Sequence, residues 1–408
     1  MPSSISSPSA RCEERPSLGP TARLRTENGK ISVMHLIHSM AYGGIETAVI
    51  NWLRKIDRTR FDVSLVCFAN PGETEAPFVA AANRAGLEVS KIPWSRRKPL
   101  IKSARRLVQH MRAHQVDILH VHNFYADCVG AVAARMYRVK TVATVYVLAE
   151  YGDWKRDLIQ AIEERVLKAF DRVTAHCEVT RDKLIERGFA GVKTLICGFE
   201  THPAVLSMEE RSRRRMELGV GDDEILLGNV ARLYPEKAQD VLLGCFKDIL
   251  AQHPKARLWI AGVGPLQDNL RSLCSQMGLD RTVKFVGFLP DLPSFMCLLD
   301  IQVHPSHIEG VPLALCEGLA AGLPIVASAV GGVPEILNHG HAGILVPAGD
   351  NAAFTRAVIE LMNRPEDCRR MGASAKQFIE QGYSLEAAVA RVESTYSEMM
   401  GACESASS

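Results

Sequence analysis

The chain has 408 residues, a length that suits two domains, each large enough to bury a core without disulfides. Lysine plus arginine number 48 and aspartate plus glutamate 46, so the overall charge gives no indication of a nucleic-acid partner. No run approaches the roughly 20 apolar residues that cross a bilayer, and the eleven cysteines, without a C-x-x-C pair, suit small buried side chains in a reducing compartment.

Residues 1–29 are rich in serine, proline and arginine, which predicts a disordered tail and not a signal peptide. After residue 30, apolar runs alternate with amphipathic segments, which predicts parallel, doubly wound sheets. Predicted helices of the first half begin near 46, 76, 101 and 125. The predicted strands are 31–37, 63–68, 87–92, 118–121 and 141–147, followed by 225–230, 257–260, 283–286, 301–304, 325–329 and 344–346.

A charged helical stretch and an acidic turn, together spanning 209–224, separate the two sets of strands. We assign 30–205 to an N-terminal domain, 206–380 to a C-terminal domain, 381–400 to a final helix and 401–408 to a tail. Ligands of open parallel sheets bind beyond the carboxyl ends of the strands. The cleft between the two domains is therefore the predicted site.

The stretch 303–336, VHPSHIEGVPLALCEGLAAGLPIVASAVGGVPEI, is where we expect the chemistry. Pro312 is predicted at the first position of a helix, and the unpaired N–H groups around it would form an anion site. Glu309 precedes this helix and Glu317 falls in its second turn. Alone, the two glutamates would be a helix-dipole partner and a solvated helix residue.

Three more motifs follow strand ends. Gly43-Gly44-Ile45-Glu46 leads into a helix, either as a bare turn or as a loop whose N–H groups approach a phosphate or sugar. Arg232 and Lys237 are either two surface cations or a clamp on one diphosphate. Gly262 and Gly264 belong to another strand-to-helix turn, which is a weak signal by itself.

Together, the patterns PS-x-x-EG-x-P, E-x(4)-G-x-P-x-V and GG-x-PE resemble the signature of retaining nucleotide-sugar glycosyltransferases of family 4. The resemblance implies the GT-B fold, an α/β architecture in which two doubly wound, parallel-sheet Rossmann-like domains face an inter-domain cleft. The acceptor would bind on the N-terminal side and the donor on the C-terminal side. The resemblance also implies that the final helix crosses back to the first domain, and that two cations replace a metal.

The resemblance further implies a role for each matching residue. Arg232 and Lys237 would clamp the donor diphosphate. Glu309 would contact the transferred sugar, and Glu317 would accept hydrogen bonds from the ribose. Phe288 and Leu289 would meet the nucleobase through main-chain groups. The other donor-binding candidates are Gly43, Gly44, Glu46, Gly262, Gly264, Gly310, Val311, Pro312 and Leu313.

Two positions depart from the family pattern. The family usually carries Thr-x-His after the fifth strand, with the histidine beside the sugar, whereas Thr144-Val145-Tyr146 places a tyrosine there. The usual Asn-Gly-Val-Asp is Cys197-Gly198-Phe199-Glu200. His120 and His122 fit the family's H-x-H pattern, and they either supply the missing imidazole or are packed residues. The catalytic candidates are therefore His122 and Tyr146, with Glu309, Arg232 and Lys237.

A basic segment lies between Glu88 and Asp117, where no acid occurs. Over 100–114 the apolar positions recur at helical spacing with cations opposite. Two interpretations are open: an ordinary solvated helix, or a patch for anionic lipid with Trp94 at the interface. The cations of the proposed membrane contact are Arg96, Arg97, Lys98, Lys102, Arg105 and Arg106.

The sequence thus predicts a retaining, metal-independent hexosyltransferase. It would move a sugar from a nucleotide-sugar donor to a glycan or lipid-linked saccharide in polysaccharide or glycolipid biosynthesis. No cofactor and no nucleic-acid partner are expected. The predicted location is the cytoplasm or the cytoplasmic face of the inner membrane. A nucleotide-sugar epimerase of the same fold and a catalytically inactive nucleotide-sugar binder remain open as alternatives.

Overall fold

The computed structural model describes residues 29–38, 43–69, 77–95, 98–148, 154–200, 206–289 and 291–401. Two parallel sheets, one of seven strands and one of six, form the centres of two α/β domains. This confirms the predicted GT-B architecture of two Rossmann-like domains. Each predicted strand is present, with both ends within two residues of the prediction.

The first sheet has the strand order β3-β2-β1-β4-β5-β6-β7. Its strands are β1 (Ile31–Ile37), β2 (Phe61–Ala69), β3 (Val89–Pro93), β4 (Ile118–His122), β5 (Lys140–Val145), β6 (Arg172–Ala175) and β7 (Lys193–Thr194). The connecting helices are α1 (Gly44–Lys55), α2 (Pro77–Arg84), α3 (Leu100–Ala113), α4 (Phe124–Met136), α5 (Trp154–Leu167) and α6 (Glu178–Glu186). Six consecutive residues of β1 are buried, as expected for a central strand covered by helices on both faces.

The second sheet has the order β10-β9-β8-β11-β12-β13. Its strands are β8 (Ile225–Val230), β9 (Ala256–Ala261), β10 (Val283–Gly287), β11 (Ile301–His304), β12 (Ile325–Ser328) and β13 (Ile344–Val346). Its helices are α7 (Met208–Glu217), α8 (Gln239–Gln252), α9 (Gln267–Gln276), α10 (Leu292–Met296), α11 (Leu313–Ala320), α12 (Val333–Ile336), α13 (Asn351–Met362) and α14 (Pro365–Gly382).

Two ion pairs with Asp300 attach α7 to the second domain. Arg215 is fully buried and donates to Asp300 Oδ2 at 2.9 Å and to the Leu298 carbonyl at 2.9 Å. Arg211 donates to the other carboxylate oxygen of Asp300 at 2.6 Å. Because a buried guanidinium without partners would be costly, these bonds hold the helix against the sheet.

The final helix, α15 (Leu385–Met399), packs against α1 in the first domain. Its N-cap Ser384 accepts a hydrogen bond from the Ala387 N–H, and Val392 and Tyr396 lie in the same apolar cluster as Trp52. Where the chain passes between the domains, the Phe199 N–H donates to the Tyr383 carbonyl at 3.2 Å. The last helix therefore completes the core of the first domain.

Some local predictions differ from the structure. The elements α5, β6, α6 and β7 were not among the predicted elements, since β6 has four residues and β7 only two. Pro312 is the N-cap of α11 and not its first residue. Residues 1–28 of the predicted N-terminal tail, and residues 402–408, lie outside the described residues.

The basic segment corresponds to α3 and its approach. Trp94 is only 5% exposed and packs against Phe68 and Tyr125, so the structure does not support the interpretation that places it at a membrane interface. Lys98 Nζ lies 4.2 Å from the centre of the Tyr125 ring. Arg96 and Arg97 lie outside the described residues. In the part of the chain that the structure describes, no helix combines the length and apolar character needed to span a membrane.

Candidate active site

A cavity of about 250 Å³ lies between the two domains at the carboxyl ends of their strands. The first domain contributes the loop before α1 and the ends of β5 and β6, and the second contributes the end of β8 and the loop before α11. Of the predicted site residues, those that line it are Gly43, Gly44, Tyr146, Arg232, Lys237, Glu309, Gly310, Val311, Pro312 and Leu313.

Two helix N-termini face each other across this cavity. Gly43 is the N-cap of α1, and a side chain added at Gly44 would reach Leu313, the first residue of α11, at 4.0 Å. Unpaired N–H groups at helix starts carry partial positive charge. The cavity can therefore hold an anion from both sides.

Glu309 is buried and lies at the centre of a cluster of ionisable side chains. Lys237 Nζ donates to its Oε2 at 2.7 Å, and His304 Nε2 lies 2.6 Å from its Oε1. Burial alone would raise the pKa of Glu309, but the charges and hydrogen bonds of His304 and Lys237 outweigh it and lower the pKa to about 2. Glu309 is therefore ionised at neutral pH, and Lys237 is already paired with it.

Arg232 is the exposed cation of the cavity. Its guanidinium lies 4.8 Å from the centre of the Tyr234 ring and 3.9 Å from the Glu236 carboxylate. Neither contact is strong at an exposed site. The guanidinium can therefore reorient toward a bound anion at small cost.

Gly262 and Gly264 lie beneath the loop that carries Arg232 and do not line the cavity. A side chain at Gly262 would come within 1.9 Å of the Ala231 carbonyl oxygen, and one at Gly264 within 2.4 Å of the Leu233 carbonyl oxygen. The two glycines therefore allow close packing of this loop and set the position of Arg232.

The two domains meet where Gly310 approaches Tyr146. A side chain at Gly310 would come within 2.7 Å of the Tyr146 carbonyl oxygen. The Gly310 carbonyl accepts a hydrogen bond from the Gly332 N–H at 2.8 Å, which ties this loop to the glycine turn before α12. The absence of a side chain at 310 thus brings the Glu309 loop against the first domain.

Tyr146 forms the wall of the cavity on the side of the first domain. Its hydroxyl lies 2.8 Å from His122 Nδ1, and burial raises its pKa well above the usual value. His122 is fully buried behind Tyr146 and does not line the cavity. Of the two interpretations of His122, the structure therefore favours a packed residue.

Four other predicted residues lie outside the cavity. Glu46 is buried in the first turn of α1, with Gly43 beside it. Phe288 is 65% exposed and, like Leu289, does not line the cavity. Glu317 lies on α11, where burial raises its pKa to about 7 and its Oε2 has no hydrogen-bond partner among the described residues. None of these positions tests the predicted contacts with a nucleotide.

The sequence patterns do not single out two histidines that line the cavity. His304 ends β11, and its Nδ1 has no hydrogen-bond partner in the described part of the chain. His176 follows β6, contacts Cys197 Sγ, and has its pKa lowered to about 4 by burial. Their positions just after or at the end of a parallel strand are the signal that could have identified them.

Two family models together cover most of the chain. The model described as Glycosyltransferase Family 4 matches residues 42–201, and that described as Glycosyl transferases group 1 matches residues 210–378. One similar protein is a D-inositol 3-phosphate glycosyltransferase of Streptomyces bingchenggensis, 28% identical over 70% of this chain and 67% of the relative. Another is the putative glycosyltransferase EpsD of Bacillus subtilis, 27% identical over 75% of this chain and 82% of the relative.

Solved structures share the same fold. HepE of Anabaena, solved in complex with UDP-glucose, superimposes with a TM-score of 0.80 at 22% identity, covering 90% of this chain and 100% of HepE. Sucrose-phosphate synthase of Thermosynechococcus elongatus gives a TM-score of 0.74 at 18% identity, covering 91% and 100%. With both family models matched and the two facing Rossmann-like domains in place, the chain belongs to glycosyltransferase family 4.

Proposed function

We propose that this glycosyltransferase transfers a hexosyl group from a nucleotide-sugar donor to a glycan or lipid-linked saccharide, with retention of configuration and without a metal. The observation that carries the proposal is the cluster of buried Glu309 and His304 with partly buried Lys237, between two facing helix N-termini. In such a cluster the fixed carboxylate can contact a sugar, and the positively charged groups can stabilise the charge of a diphosphate.

The leaving group determines what the cavity must do. Breaking the bond between sugar and diphosphate places negative charge on the phosphate and a carbocation-like centre on the sugar. The N-terminus of α11 and Arg232 would meet the phosphate charge, and Lys237 would exchange part of its contact with Glu309 for a phosphate oxygen. One donor placed in this way contributes about 3–4 kcal/mol in comparable oxyanion sites.

In this proposal Arg232 and Lys237 supply the positive charge that a metal ion supplies in metal-dependent sugar transfer. Glu309 remains ionised because its pKa is about 2, and it would stabilise positive charge on the reacting sugar. The acceptor hydroxyl would attack from the leaving-group face. The anomeric configuration of the product, measured by NMR, tests retention, and full activity in excess EDTA tests independence of a metal.

Two donor classes are suggested by similar proteins. HepE has been solved with UDP-glucose. A Mycolicibacterium smegmatis relative, 25% identical over 82% of this chain and 90% of its own length, is a GDP-mannose-dependent phosphatidylinositol monomannoside mannosyltransferase. We therefore propose UDP-glucose and GDP-mannose as the first donors to test, and a lipid-linked saccharide as the first acceptor.

A lipid acceptor would place the first domain at the cytoplasmic face of the inner membrane. The exposed apolar residues of α5 support this proposal: Trp154 is 70% exposed, and Leu158 and Ile162 follow at four-residue spacing on the same side. Ile101, at the start of α3, is 62% exposed and lies among the cations of the basic segment. Apolar side chains beside cations suit an anionic lipid surface.

A thermal-shift panel of UDP-, GDP- and ADP-sugars identifies the donor, because a ligand bound only by the native state raises the melting temperature. Glu309→Ala should then keep donor binding and lose transfer. A mere binder has no turnover to lose. Incubation with the donor alone, followed by chromatography of the sugar nucleotide, exposes an epimerase, because only an epimerase produces a second nucleotide sugar without an acceptor.

A further inference from the structure

A continuous chain of hydrogen bonds runs from the cavity into the core of the first domain and reaches α15. Tyr146 is bonded to His122 at 2.8 Å, and His122 Nε2 lies 2.9 Å from His35 Nδ1. The chain continues from His35 Nε2 to the Tyr396 hydroxyl at 2.9 Å and from there to His120 Nδ1 at 2.7 Å. Tyr396 belongs to the helix that crosses between the domains.

Two threonines form the inner end of this hydrogen-bond chain. His120 Nε2 lies 2.6 Å from Thr144 Oγ1, which lies 2.8 Å from Thr174 Oγ1. Thr174 donates to the Ala143 carbonyl at 3.3 Å. A carbonyl can only accept, so this bond fixes the direction of the proton at the inner end.

The three histidines are neutral. Burial lowers the pKa of His120 and His122 well below the usual value, and burial with the charge of Arg58 lowers the pKa of His35 to about 3. A neutral imidazole has one N–H donor and one acceptor nitrogen. One nitrogen from each histidine lies within 4.8 Å of the other two, a spacing that could suit a metal ion. All six ring nitrogens are engaged in the bonds above, however, so we treat this cluster as a hydrogen-bond chain.

These constraints fix every proton in turn. Because Thr174 donates to Ala143, Thr144 donates to Thr174 and His120 donates to Thr144 through Nε2. Tyr396 then donates to His120 Nδ1 and accepts from His35 Nε2. By the same rule His35 Nδ1 accepts from His122 Nε2. His122 Nδ1 is left as the acceptor for the Tyr146 hydroxyl.

We propose that His122, His35 and Tyr396 are positioning residues that turn the proton of the Tyr146 hydroxyl into the core. Toward a ligand in the cavity, the phenol oxygen then acts as a hydrogen-bond acceptor and not as a donor. A substrate hydroxyl that meets Tyr146 must therefore donate its own proton. This second statement rests on the proposed sugar transfer, because a hydroxyl of the donor sugar or of the acceptor would be that ligand.

The direction of these hydrogen bonds, that is, which atom donates in each, is tested on the unliganded protein. All three histidines should be Nε2–H tautomers, which long-range ¹H–¹⁵N NMR of histidine-labelled protein distinguishes from Nδ1–H. Signals are assigned by comparison with single histidine variants. Nδ1–H tautomers at His122 and His35 would mean the opposite direction and would overturn the proposal. This measurement needs no substrate, so it stands even if no sugar transfer is found.

The positioning role is tested by a double-mutant cycle on hydrolysis of UDP-glucose or GDP-mannose, whichever donor raises the melting temperature more. Tyr146→Phe and Tyr396→Phe should each lower kcat about five- to tenfold, and the double variant should be no slower than Tyr146→Phe alone. Tyr383→Phe is the matched control, because the Tyr383 hydroxyl is also buried and donates to Glu335 at 3.2 Å outside the chain. It should change kcat little in either background.

Multiplicative effects of Tyr146→Phe and Tyr396→Phe would show that Tyr396 does not act through Tyr146, and would refute the positioning role. The same conclusion would follow if Tyr383→Phe were as harmful as Tyr396→Phe. Absence of turnover with both donors, combined with Nε2–H tautomers, would count against the proposed function and leave the direction of the chain supported.

Discussion

Replacing Glu309 by glutamine removes the carboxylate from the centre of the cavity while keeping its shape. The pKa of Glu309 is lowered from 4.5 to about 2, so its ionised form is favoured in the folded protein by about 3 kcal/mol. Glutamine lacks this charge and leaves the partly buried Lys237 without its counter-ion. We therefore expect Glu309→Gln to lower the free energy of unfolding by about 3 kcal/mol at pH 7.

The lowered pKa of Glu309 also makes this stabilisation depend on pH. A carboxylate with a lowered pKa contributes stability above its unfolded pKa, near 4.5, and loses it as the pH falls toward 2. At pH 4 the wild type should have lost about 1 kcal/mol of this contribution, so its advantage over Glu309→Gln should shrink by that amount. Urea unfolding at pH 7 and pH 4 measures both values.

Glu236→Gln is the control. Within the described part of the chain the Glu236 carboxylate makes only a long contact with exposed Arg232, so this change should alter stability by less than about 0.5 kcal/mol. A loss of stability in Glu309→Gln that is the same at both pH values, or no larger than that of the control, would refute the stabilising role of the ionised Glu309 carboxylate.

Three further predictions follow from the same site and its surroundings. Burial raises the pKa of Glu317 to about 7, so wild-type stability should fall as the pH rises from 4.5 through 7. In urea unfolding, Glu317→Gln should remove this slope and be more stable than the wild type by about 3 kcal/mol at pH 8. Arg232→Ala should weaken donor binding about 10- to 100-fold by calorimetry, while Arg271→Ala, which also removes an arginine from an aromatic ring, should not; equal losses would remove Arg232 from the site. In vesicle sedimentation, replacing Arg96, Arg97 and Lys98 by serine should reduce binding to anionic lipid about 100-fold, at about 1 kcal/mol per cation, and leave the weak binding to zwitterionic vesicles unchanged. Unchanged anionic binding would exclude a membrane role for these three cations.

The fold was largely predictable because parallel strands that are buried on both faces have nearly continuous apolar sequences. The β1 sequence, ISVMHLI, and its counterpart in β8 need little context to be identified. The region from α5 to β7 was not predictable in this way. β6 contains Arg172 and Thr174, and β7 has two residues, so neither gives a periodic pattern. The place of β6 depends on its pairing with β5, and that of β7 on its pairing with β6.

The candidate site was predictable only where its residues share a local motif. Glu309, Gly310 and Pro312 stand together in the sequence, and the loop brings them into the cavity together. The contact between His304, at the end of β11, and Glu309 could not be predicted, because it depends on how the loop between them folds. The hydrogen-bond chain is beyond any local pattern, because His35 and Tyr396 are 361 positions apart.

The contact of α15 with α1 has a consequence for biosynthesis. Trp52 and Phe61, near the start of the chain, share a buried cluster with Tyr396, near its end. A ribosome adds about 5–20 residues per second, so the roughly 200 residues that separate the end of the first sheet from Tyr396 take about 10–40 s to make. During this interval part of the apolar surface of the first domain is uncovered. The nascent protein would need chaperones most at this stage.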